Sequence, residues 1–451
     1  MKGEWETSRL VDCVTYQKGF AFKSADYRPS GHPIVRVSNF TDRSIDMADC
    51  SCLDYDAVQE YNAYKLRHRD AVIATVGSWP TNPASVVGKT IYVPEEADAA
   101  LLNQNAVRLR SKPNLDQRFL FYLLKQPDFQ SYIVGTAQGS ASQASITLND
   151  IFGFEFQRPP LAEQKAIAKI LGDLDDKIEL NRMMNTTLEA MARALFQSWF
   201  VDYDPVRAKM DGREPEGMDK ETAALWPSEF EESELGLVPK EWEVKTLSNL
   251  TSLITKGTTP TKDDMSGEPD SNAQINYVRV NSIDEDGSVL VDKLTTIPES
   301  VHVGVLKRSI LLANDVLYTI AGTIGRIALT EEWLLPANTN QAVAIIRPEL
   351  KIPSGFLMLT MRHEVFREEL HNNIVHAVQA NLSLGMLSKA RVVVPSQSIL
   401  QQLFKPIDAL LSQISSNRAQ SRTLANLRDT LLPKLMSGEV EVGALETLGV
   451  V

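Results

Sequence analysis

The stretch PPLAEQKAIAKILGDLDDKIELNRMMNTTLEAMARALFQSWF, residues 159–200, decides the fold of this chain, because a related stretch occupies residues 395–436. When the two copies are aligned from their first residues, their apolar positions coincide. These positions recur at intervals of three and four residues, which predicts a heptad seam along a helix. The predicted seam residues are Leu171, Leu174, Ile178, Asn181, Leu188, Leu195 and Trp199 in the first copy and Ile407, Leu410, Ile414, Asn417, Leu424, Leu431 and Leu435 in the second.

A helix from about residue 162 to residue 200 would be roughly 58 Å long, too long for the core of a small domain, so it needs a partner. A single copy could equally be a buried core helix. The recurrence favours two antiparallel helices packed as a coiled coil about a pseudo-twofold axis, with Asn181 and Asn417 meeting near the crossing. Pro406, and Gly172 near the matching place, leave open a break that would shorten the main helix to about 29 residues.

Short motifs outside the helical stretches also recur, which predicts an internal duplication. Glu-Trp-Glu begins at residues 4 and 241, and the alternating apolar runs IVRVSNF (34–40) and YVRVNSI (277–283) are typical of strands. The predicted fold class is α+β, with two similar mixed α/β globules separated by the two antiparallel helices. The predicted divisions are a first globule (1–158), a first helix (159–203), an acidic connector (204–238), a second globule (239–394), a second helix (395–438) and a tail (439–451).

The composition is that of a globular protein with more than one hydrophobic core. The chain has 451 residues, with 43% hydrophobic and 23% charged side chains. It lacks an apolar run of membrane-spanning length and a signal-peptide core, so we expect a cytoplasmic protein. Cys13, Cys50 and Cys52 argue against a disulfide framework, and a Cys-x-Cys pair without further nearby ligands does not predict a metal site.

The net charge of −12 is unevenly distributed, because residues 202–241 hold 12 acidic and 5 basic side chains. Local potential steers a polyanion, so the overall charge neither predicts nor excludes DNA binding. The Pro, Gly and acidic content of residues 204–238 predicts a solvated connector. Residues 202–205, DYDP, are interpreted as a helix terminator and not as a methyltransferase loop, because no Gly-rich cofactor loop precedes them.

No catalytic motif is found, which indicates a binding protein without catalytic residues or a metal of its own. Two similar globules with unlike loops favour two DNA-recognition modules, each of which contacts one part of a DNA site. Such contacts use basic, amide, hydroxyl and main-chain N–H groups. The DNA-binding candidates are Lys18, Arg36, Asn39, Ser78, Trp79, Asn82, Asn105, Ser140 and Gln143 in the first half and Lys256, Arg279, Asn281, Thr323, Asn338, Asn340, Gln379 and Asn381 in the second.

The motifs PPLAEQ (159–164), QSWFVDYDPV (197–206) and LLPKLMSGEVEV (431–442) closely resemble those of the DNA-specificity subunit of type I restriction-modification systems. The resemblance covers nearly the whole chain. It implies two target-recognition domains that read a bipartite, asymmetric DNA sequence with an unread gap. The repeated helices would set that gap and dock two modification subunits, and the restriction subunits would join through these. S-adenosylmethionine, ATP and Mg would belong to the partner subunits, and this chain would supply recognition without catalysis.

The second helical copy departs from the family pattern, since it lacks the Glu-Gln of Glu163-Gln164 and has Leu400-Gln401-Gln402 in that region. Docking there would be weaker or differently arranged. Some apolar helix residues outside the seam either dock partners or pack on the chain's own globules: Ile170, Met184, Met191, Phe196 and Phe200. Two other functions stay open, a self-contained DNA methyltransferase or nuclease with fused recognition domains and a protein-binding scaffold. The scaffold would show no salt-dependent affinity for duplex DNA.

Overall fold

The computed structural model describes residues 5–79, 87–140, 143–266, 275–375 and 382–443. The chain divides into two compact units. Unit 1 comprises Met1–Asn181 and Gln420–Val451, and unit 2 comprises Arg182–Ala419. Each unit therefore contains part of both copies of the repeated stretch.

Unit 1 is a mixed α/β globule. Its strands are β1 (Glu6–Arg9), β2 (Val14–Lys18), β3 (His32–Val35), β4 (Ser51–Leu53), β5 (Ala71–Ala74), β6 (Val76–Gly77), β7 (Thr90–Tyr92), β8 (Leu101–Leu102), β9 (Ala106–Ser111), β10 (Gln138–Ser140), β11 (Gln143–Ser145) and β12 (Glu155–Arg158). Its helices are α1 (Leu10–Cys13), α2 (Gln117–Lys125), α3 (Pro127–Thr136), α4 (Leu148–Phe152) and the first part of α5 (Leu161–Phe196).

The core of unit 1 lies between an antiparallel sheet of order β2-β9-β5-β7 and α2. Every α2 residue from 119 to 124 is buried, as expected for an apolar helix covered on most of its surface. The carboxylate of Asp116 caps α2 by accepting the N–H groups of Arg118 and Phe119 at 2.9 Å. α2 is therefore an apolar helix whose first turn is fixed by a polar cap.

Unit 2 contains the remaining elements. Its helices are α6 (Asp204–Met210), α7 (Lys220–Ala224), α8 (Glu299–Val303), α9 (Ser354–Arg362), α10 (Glu364–Val375), α11 (Leu384–Lys389) and the first part of α12 (Gln397–Met436). Its strands are β13 (Phe230–Ser233), β14 (Gly236–Pro239), β15 (Glu243–Thr246), β16 (Thr251–Lys256), β17 (Ile275–Val278), β18 (Thr295–Ile297), β19 (Val316–Thr319), β20 (Ile327–Leu329), β21 (Ala337–Thr339), β22 (Val343–Pro348) and β23 (Arg391–Val394).

The strand orders of the two units correspond. The sheet β16-β22-β19-β20 of unit 2 matches β2-β9-β5-β7 of unit 1, and β18-β17-β21 matches β4-β3-β8. In both three-stranded sheets the central strand has one parallel neighbour, β8 for β3 and β21 for β17. The predicted α+β class and internal duplication are confirmed.

A buried carboxylate paired with an arginine recurs in both units, although no sequence pattern predicted it. Asp70 accepts hydrogen bonds from Arg110 Nε at 2.6 Å and Nη2 at 2.8 Å. In unit 2, Asp315 accepts the same two bonds from Arg347 at 2.7 and 2.8 Å. Each carboxylate also accepts a main-chain N–H from three residues earlier. Such bidentate pairs fix geometry as well as contributing energy, so they help to hold equivalent strands in equivalent places.

Both long helices run past the residues that left a break open. α5 continues through Gly172 and α12 through Pro406, so the alternative of shortened helices is wrong. A side chain at position 172 would collide with Arg118, whose guanidinium donates to the Gly172 carbonyl at 2.9 Å. The first copy ends near the predicted place, because α5 gives way to a π-helical turn, Gln197–Val201, and Tyr203 has a left-handed φ of 56°.

In unit 1 the segments of α5 and α12 run antiparallel. Asp175 of α5 pairs with Arg428 of α12 at 2.5 Å, and Asn181 donates to Gln420 at 2.8 Å. The residue number therefore rises along one helix as it falls along the other. Asn181 is 1% exposed, and an unpaired polar group at so buried a position would be costly. The hydrogen bond to Gln420 avoids that cost.

The segments of α5 and α12 in unit 2 are also antiparallel. Asn417 donates to Asn185 Oδ1 at 2.8 Å, and the ring of Phe200, in the turn that follows α5, lies 6.1 Å from that of Phe404 in α12. Asparagines thus occupy the seam in both units. That Asn181 and Asn417 meet each other stays a prediction.

None of the predicted seam residues is exposed, but the outermost ones extend the cores of the globules. Leu171, Leu431 and Leu435 belong to the main core of unit 1, and Trp199 and Ile407 belong to that of unit 2. The same heptad pattern therefore marks two kinds of contact, helix with helix and helix with globule. Periodicity alone does not distinguish them.

The segment expected to be a solvated connector is folded, and that expectation is wrong. It forms α6, α7 and the hairpin β13–β14 of unit 2. Trp226, 2% exposed, has ring centroids 6.0 Å from Trp199 and Phe200 and 5.4 Å from Trp242. Lys209 Nζ donates to the Trp226 carbonyl at 2.5 Å. The acidic side chains of this segment face solvent, while a few apolar ones attach it to the core.

A partly buried polar cluster lies where α2 meets the long helices in unit 1. The Tyr122 hydroxyl donates to Asp175 at 2.6 Å, and Arg43 pairs with the same carboxylate at 3.1 Å. At the end of α2, Lys125 donates to the Asp42 carbonyl at 2.9 Å. Burial, with the positive charge of Arg43, lowers the pKa of Lys125 to about 8.

This lowered pKa predicts that unit 1 gains stability as the pH rises from 8 to 10. Across that range folded Lys125 loses its proton while the unfolded chain still binds most of it, so rising pH favours the folded state by about 1–2 kcal/mol. Unfolding of wild type and Lys125→Met at several pH values measures the difference. Lys23→Met, which alters an exposed lysine of the same unit, is the control and should follow the wild type. Equal pH dependence of wild type and Lys125→Met would contradict the prediction.

Candidate nucleic-acid interface

Lys18 and Asn105 lie at one edge of the four-stranded sheet of unit 1, where β2 ends and β9 begins. Lys18 is opposite Val107 in the ladder, and Asn105 precedes β9 with a φ of 71°. Both side chains are exposed. The chain passes closely over its neighbour here, since a Cβ added to Gly19 would lie 1.8 Å from the carbonyl oxygen of Asn103.

Four more candidates meet on the small sheet β6-β11-β10. Ser140 is opposite Gln143 in the hairpin, and Trp79 donates its indole N–H to the Ser140 carbonyl at 2.7 Å. Ser78 precedes Trp79. Thr75 joins this small sheet to the edge of the four-stranded sheet. Its N–H donates to the Asn105 carbonyl at 2.7 Å, and its carbonyl accepts the Ile146 N–H at 2.9 Å. The residues assembled in this way are called edge 1: Lys18, Ser78, Trp79, Asn105, Ser140 and Gln143.

The corresponding edge of unit 2, called edge 2, holds Lys256, Asn281, Thr323 and Asn340. A Cβ added to Gly257 would lie 1.6 Å from the Thr339 carbonyl oxygen, which repeats the close approach in unit 1. The Asn340 N–H donates to the main chain of β17 at 3.2 Å. The loop that carries Thr323 approaches Val280 beside Asn281, since a Cβ on Gly322 would be 3.8 Å from that side chain. Four separate loops therefore meet at edge 2.

Arg36 and Arg279 occupy matched positions before the 3-10 turns Val37–Asn39 and Val280–Ser282. Each main-chain N–H donates to the side chain of the last turn residue, at 2.9 and 3.2 Å. Both guanidinium Nε–H groups are buried and have no hydrogen-bond partner within the described ranges. The main chain at each arginine is thus fixed by its own unit, and both arginines are partly exposed.

The structure corrects two candidates and leaves three undescribed. Asn39 is 3% exposed and uses its amide to bind the main chain of residues 36 and 49. Asn338 is fully buried and binds the Leu306 carbonyl at 3.0 Å. Both side chains are buried and use their amides to support turns, so neither can reach DNA. Asn82, Gln379 and Asn381 lie outside the described residues.

The side chains do not assemble a metal or thiol site in the part of the chain that the structure describes. No group of three or more histidine, cysteine or acidic residues converges there. Burial, with the neighbouring Cys52, raises the pKa of Cys50 to about 11, so this thiol stays protonated near neutral pH. Both edges instead present amide, hydroxyl and lysine groups, which bind bases and phosphates.

The sequence model for the type I restriction modification DNA specificity domain matches the chain twice, at residues 2–190 and 239–425. The chain belongs to this family. It is a specificity subunit, the component of a type I restriction-modification system that recognises the DNA sequence, and it is not an enzyme. The two matches coincide with the duplicated frameworks.

Named specificity subunits resemble the chain over most of their lengths. The HindI specificity subunit of Haemophilus influenzae is 27% identical over 394 residues, covering 78% of this chain and 84% of that protein. The EcoBI specificity subunit of Escherichia coli is 26% identical over 456 residues, covering 97% and 86%. The crystal structure of the S subunit from M. genitalium matches with a TM-score of 0.53 and 15% identity, covering 96% of each chain, which supports the fold.

The helix residues that were candidates for docking partners fall into two groups. Ile170, Phe196 and Phe200 are 4–6% exposed and belong to the cores of their own units, so for these three the alternative of packing on the chain's own globules holds. Met184 and Met191 are 39% and 48% exposed. Only the two methionines of this set remain accessible to a partner of the specificity subunit.

The Glu163-Gln164 pair, whose absence from the second copy suggested weaker docking, has an internal role. Gln164 is 1% exposed, accepts the Asp116 N–H at 2.8 Å and donates to the Pro159 carbonyl at 2.8 Å. Glu163 accepts the indole N–H of Trp5 at 3.1 Å. In the second copy the buried Leu400 packs in the core of unit 2. The sequence difference therefore reflects two ways of attaching a helix to its own globule.

Sequence reasoning missed polar residues beside edge 2. Arg308 donates to Thr258 Oγ1 at 2.9 Å, and the hydroxyl of Thr259 donates to the side-chain oxygen of Gln341. The candidates were positions that match between the two halves, and residues 283–311 show little sequence similarity to the first half. A search for basic residues in the dissimilar loops would have found Arg308. None of the helices that the structure describes has the length and apolar character to cross a membrane.

Proposed function

We propose that the specificity subunit reads a bipartite DNA target, one part with edge 1 and the other with edge 2. The observation that carries this proposal is the same strand framework presenting unlike side chains at two matched edges. Besides a lysine each, edge 1 has an indole, two amides and two serines, whereas edge 2 has two asparagines and a threonine. Unlike donors and acceptors select unlike bases, so the two parts of the target differ in sequence.

Each edge combines the two kinds of contact that DNA recognition needs. Lys18 and Lys256 end matched strands, and a lysine there can neutralise a phosphate without reading sequence. Gln143 and Asn281 are exposed amides, which can donate to and accept from a base edge. The lysines would position each unit on the backbone, and the amides would read the groove.

The long helices would serve as spacer and docking surface. α5 has 36 residues and α12 has 40, or roughly 54 and 60 Å of helix. Met183, Met184 and Met191 are exposed along α5 in unit 2, and methionine adapts well to a partner helix. Two modification subunits would dock here and supply S-adenosylmethionine chemistry, and the restriction subunits that use ATP and Mg would join through them. The assembly would act in the cytoplasm on double-stranded DNA.

Exchange of one globule tests the proposal. The full chain, produced with its modification subunit, should methylate adenines in a motif of two unlike parts and an unread gap. Replacing residues 239–394 by those of a relative should change one part only, because unit 1 supplies the other. Exchange of residues 1–158 is the matched control and should change the other part. A continuous motif, or a change in both parts after either exchange, would overturn the bipartite assignment.

A further inference from the structure

The residues that follow Gly19 and Gly257 differ in chemistry although their backbones are placed alike. In unit 1 the residue is Phe20, whose ring lies 5.0 Å from Tyr61 and 5.1 Å from Tyr64. In unit 2 it is Thr258, whose hydroxyl accepts a hydrogen bond from Arg308. An aromatic cluster in one unit is therefore replaced by a guanidinium in the other.

Thr258 is fixed on both sides, which makes it a firm support for Arg308. Its carbonyl accepts the Tyr277 hydroxyl at 2.9 Å, and its Oγ1 accepts Arg308 Nη2 at 2.9 Å. Tyr277 is 6% exposed, so the ring that anchors this loop is part of the core. Arg308 itself is exposed beside edge 2.

Buried polar groups also fix the turn that carries Arg308, Lys307–Ser309. Asn338 Nδ2 donates to the Leu306 carbonyl at 3.0 Å and to Ser309 Oγ at 3.3 Å. Leu306 and Ser309 are fully buried. The buried Asn338 therefore holds Leu306 and Ser309, the residues on either side of the exposed Lys307 and Arg308.

A guanidinium has five N–H donors in a planar fork, and the bond to Thr258 uses one of them. That bond limits the rotation of the plane, so less conformational freedom is lost when the remaining donors bind. In the major groove a paired donor fork matches the N7 and O6 acceptors of guanine. A phosphate can accept the same fork, so the base preference of Arg308 variants, and not their affinity alone, identifies the group that is bound.

We propose that Arg308, oriented by Thr258, reads a guanine in the part of the DNA target recognised by unit 2. The inference rests on the proposed bipartite function and names one base contact within it. At the matched place unit 1 presents Phe20 and its tyrosines, which offer no comparable fork. The guanine contact therefore belongs to one half of the target.

The test is methylation by the complete complex of specificity and modification subunits. Substrates are duplexes that carry each of the four base pairs in turn at every position of the half-site assigned to unit 2. For wild type, one G·C pair should be preferred over the other three pairs by about 10- to 100-fold in kcat/KM. Arg308→Ala should abolish that preference at one position and leave the other positions and the other half-site unchanged.

Arg308→Lys separates base reading from charge. Lysine keeps the positive charge but lacks the planar fork, so it should lose most of the guanine preference while retaining affinity for DNA. Thr258→Val should retain guanine as the preferred base with a smaller preference. Lys307→Ala, the neighbouring exposed cation, is the control and should leave base preference unchanged. Thermal unfolding of each variant checks that the exposed substitutions leave the fold intact.

Three results would overturn the assignment. One is a unit 2 half-site without a G·C pair. The second is Arg308→Ala weakening methylation of all sequences equally with a lower salt dependence, which is the signature of a phosphate contact. The third is Arg308→Lys retaining the full guanine preference. Failure of the bipartite proposal is a separate result, because the wild-type methylation map and the globule exchange reveal it before any Arg308 variant is made.

Discussion

Trp226→Ala is expected to lower the free energy of unfolding of unit 2 by about 3–5 kcal/mol, the usual range for deleting a buried aromatic side chain. Trp226 is 2% exposed and is surrounded by Trp199, Phe200 and Trp242. Its removal leaves a cavity between the folded connector and the core. Denaturant unfolding of the full chain, followed by tryptophan fluorescence and circular dichroism, measures the loss.

Trp226→Phe is the matched control. The indole Nε1–H of Trp226 is buried without a hydrogen-bond partner among the described residues, so phenylalanine removes an unsatisfied donor along with part of the ring. We expect a loss below about 1.5 kcal/mol, because the smaller cavity is partly offset in this way. An alanine variant as stable as the phenylalanine variant would show that the connector is not packed in solution.

Asp315→Ala is expected to destabilise unit 2 by about 3 kcal/mol, because it leaves the guanidinium of Arg347 without its anion. Asp315 is fully buried, while Arg347 retains 26% side-chain exposure and can recover some hydration. Asp70→Ala should produce a similar loss in unit 1 through Arg110. Thermal unfolding of the three proteins compares the two repeated pairs directly.

The double variant Asp315→Ala, Arg347→Leu distinguishes an unpaired charge from a simple loss of contacts. With both charges absent, the penalty should be smaller than for Asp315→Ala alone. Glu229→Ala, which removes an exposed pair with Lys240, is the surface control and should leave stability unchanged. If Asp315→Ala behaves like Glu229→Ala, the buried pair has no structural role.

The duplication could be predicted from the sequence because apolar spacing survives divergence in the loops. Leu171 and Ile407 keep their helical period even where neighbouring residues differ, and the predicted helices are present. The role of Ile170 could not be predicted in this way, because periodicity gives the face of a helix but not what covers it. The connector was misjudged because its many charges outweighed its few apolar residues, such as Val206 and Trp226, which pack in the core of unit 2.

The candidate site was predictable only in part. Repeated framework positions led to Lys18 and Lys256, which end equivalent strands and lie at equivalent edges. From the sequence Asn338 was as good a candidate as these lysines, because an asparagine that stabilises a turn cannot be told from one that contacts DNA by residue type. Burial distinguishes them. Arg308 was missed because a residue that differs between the halves cannot be found by matching the halves.

The arrangement of the units along the chain has a consequence for synthesis on the ribosome. Unit 2 is an uninterrupted segment that is complete once Ala419 has been made. Unit 1 begins earlier but obtains Leu431, Leu432 and Leu435 of its core only from the end of α12. Until those residues emerge, the apolar surface that they cover stays open. The unit translated first is therefore the one completed last.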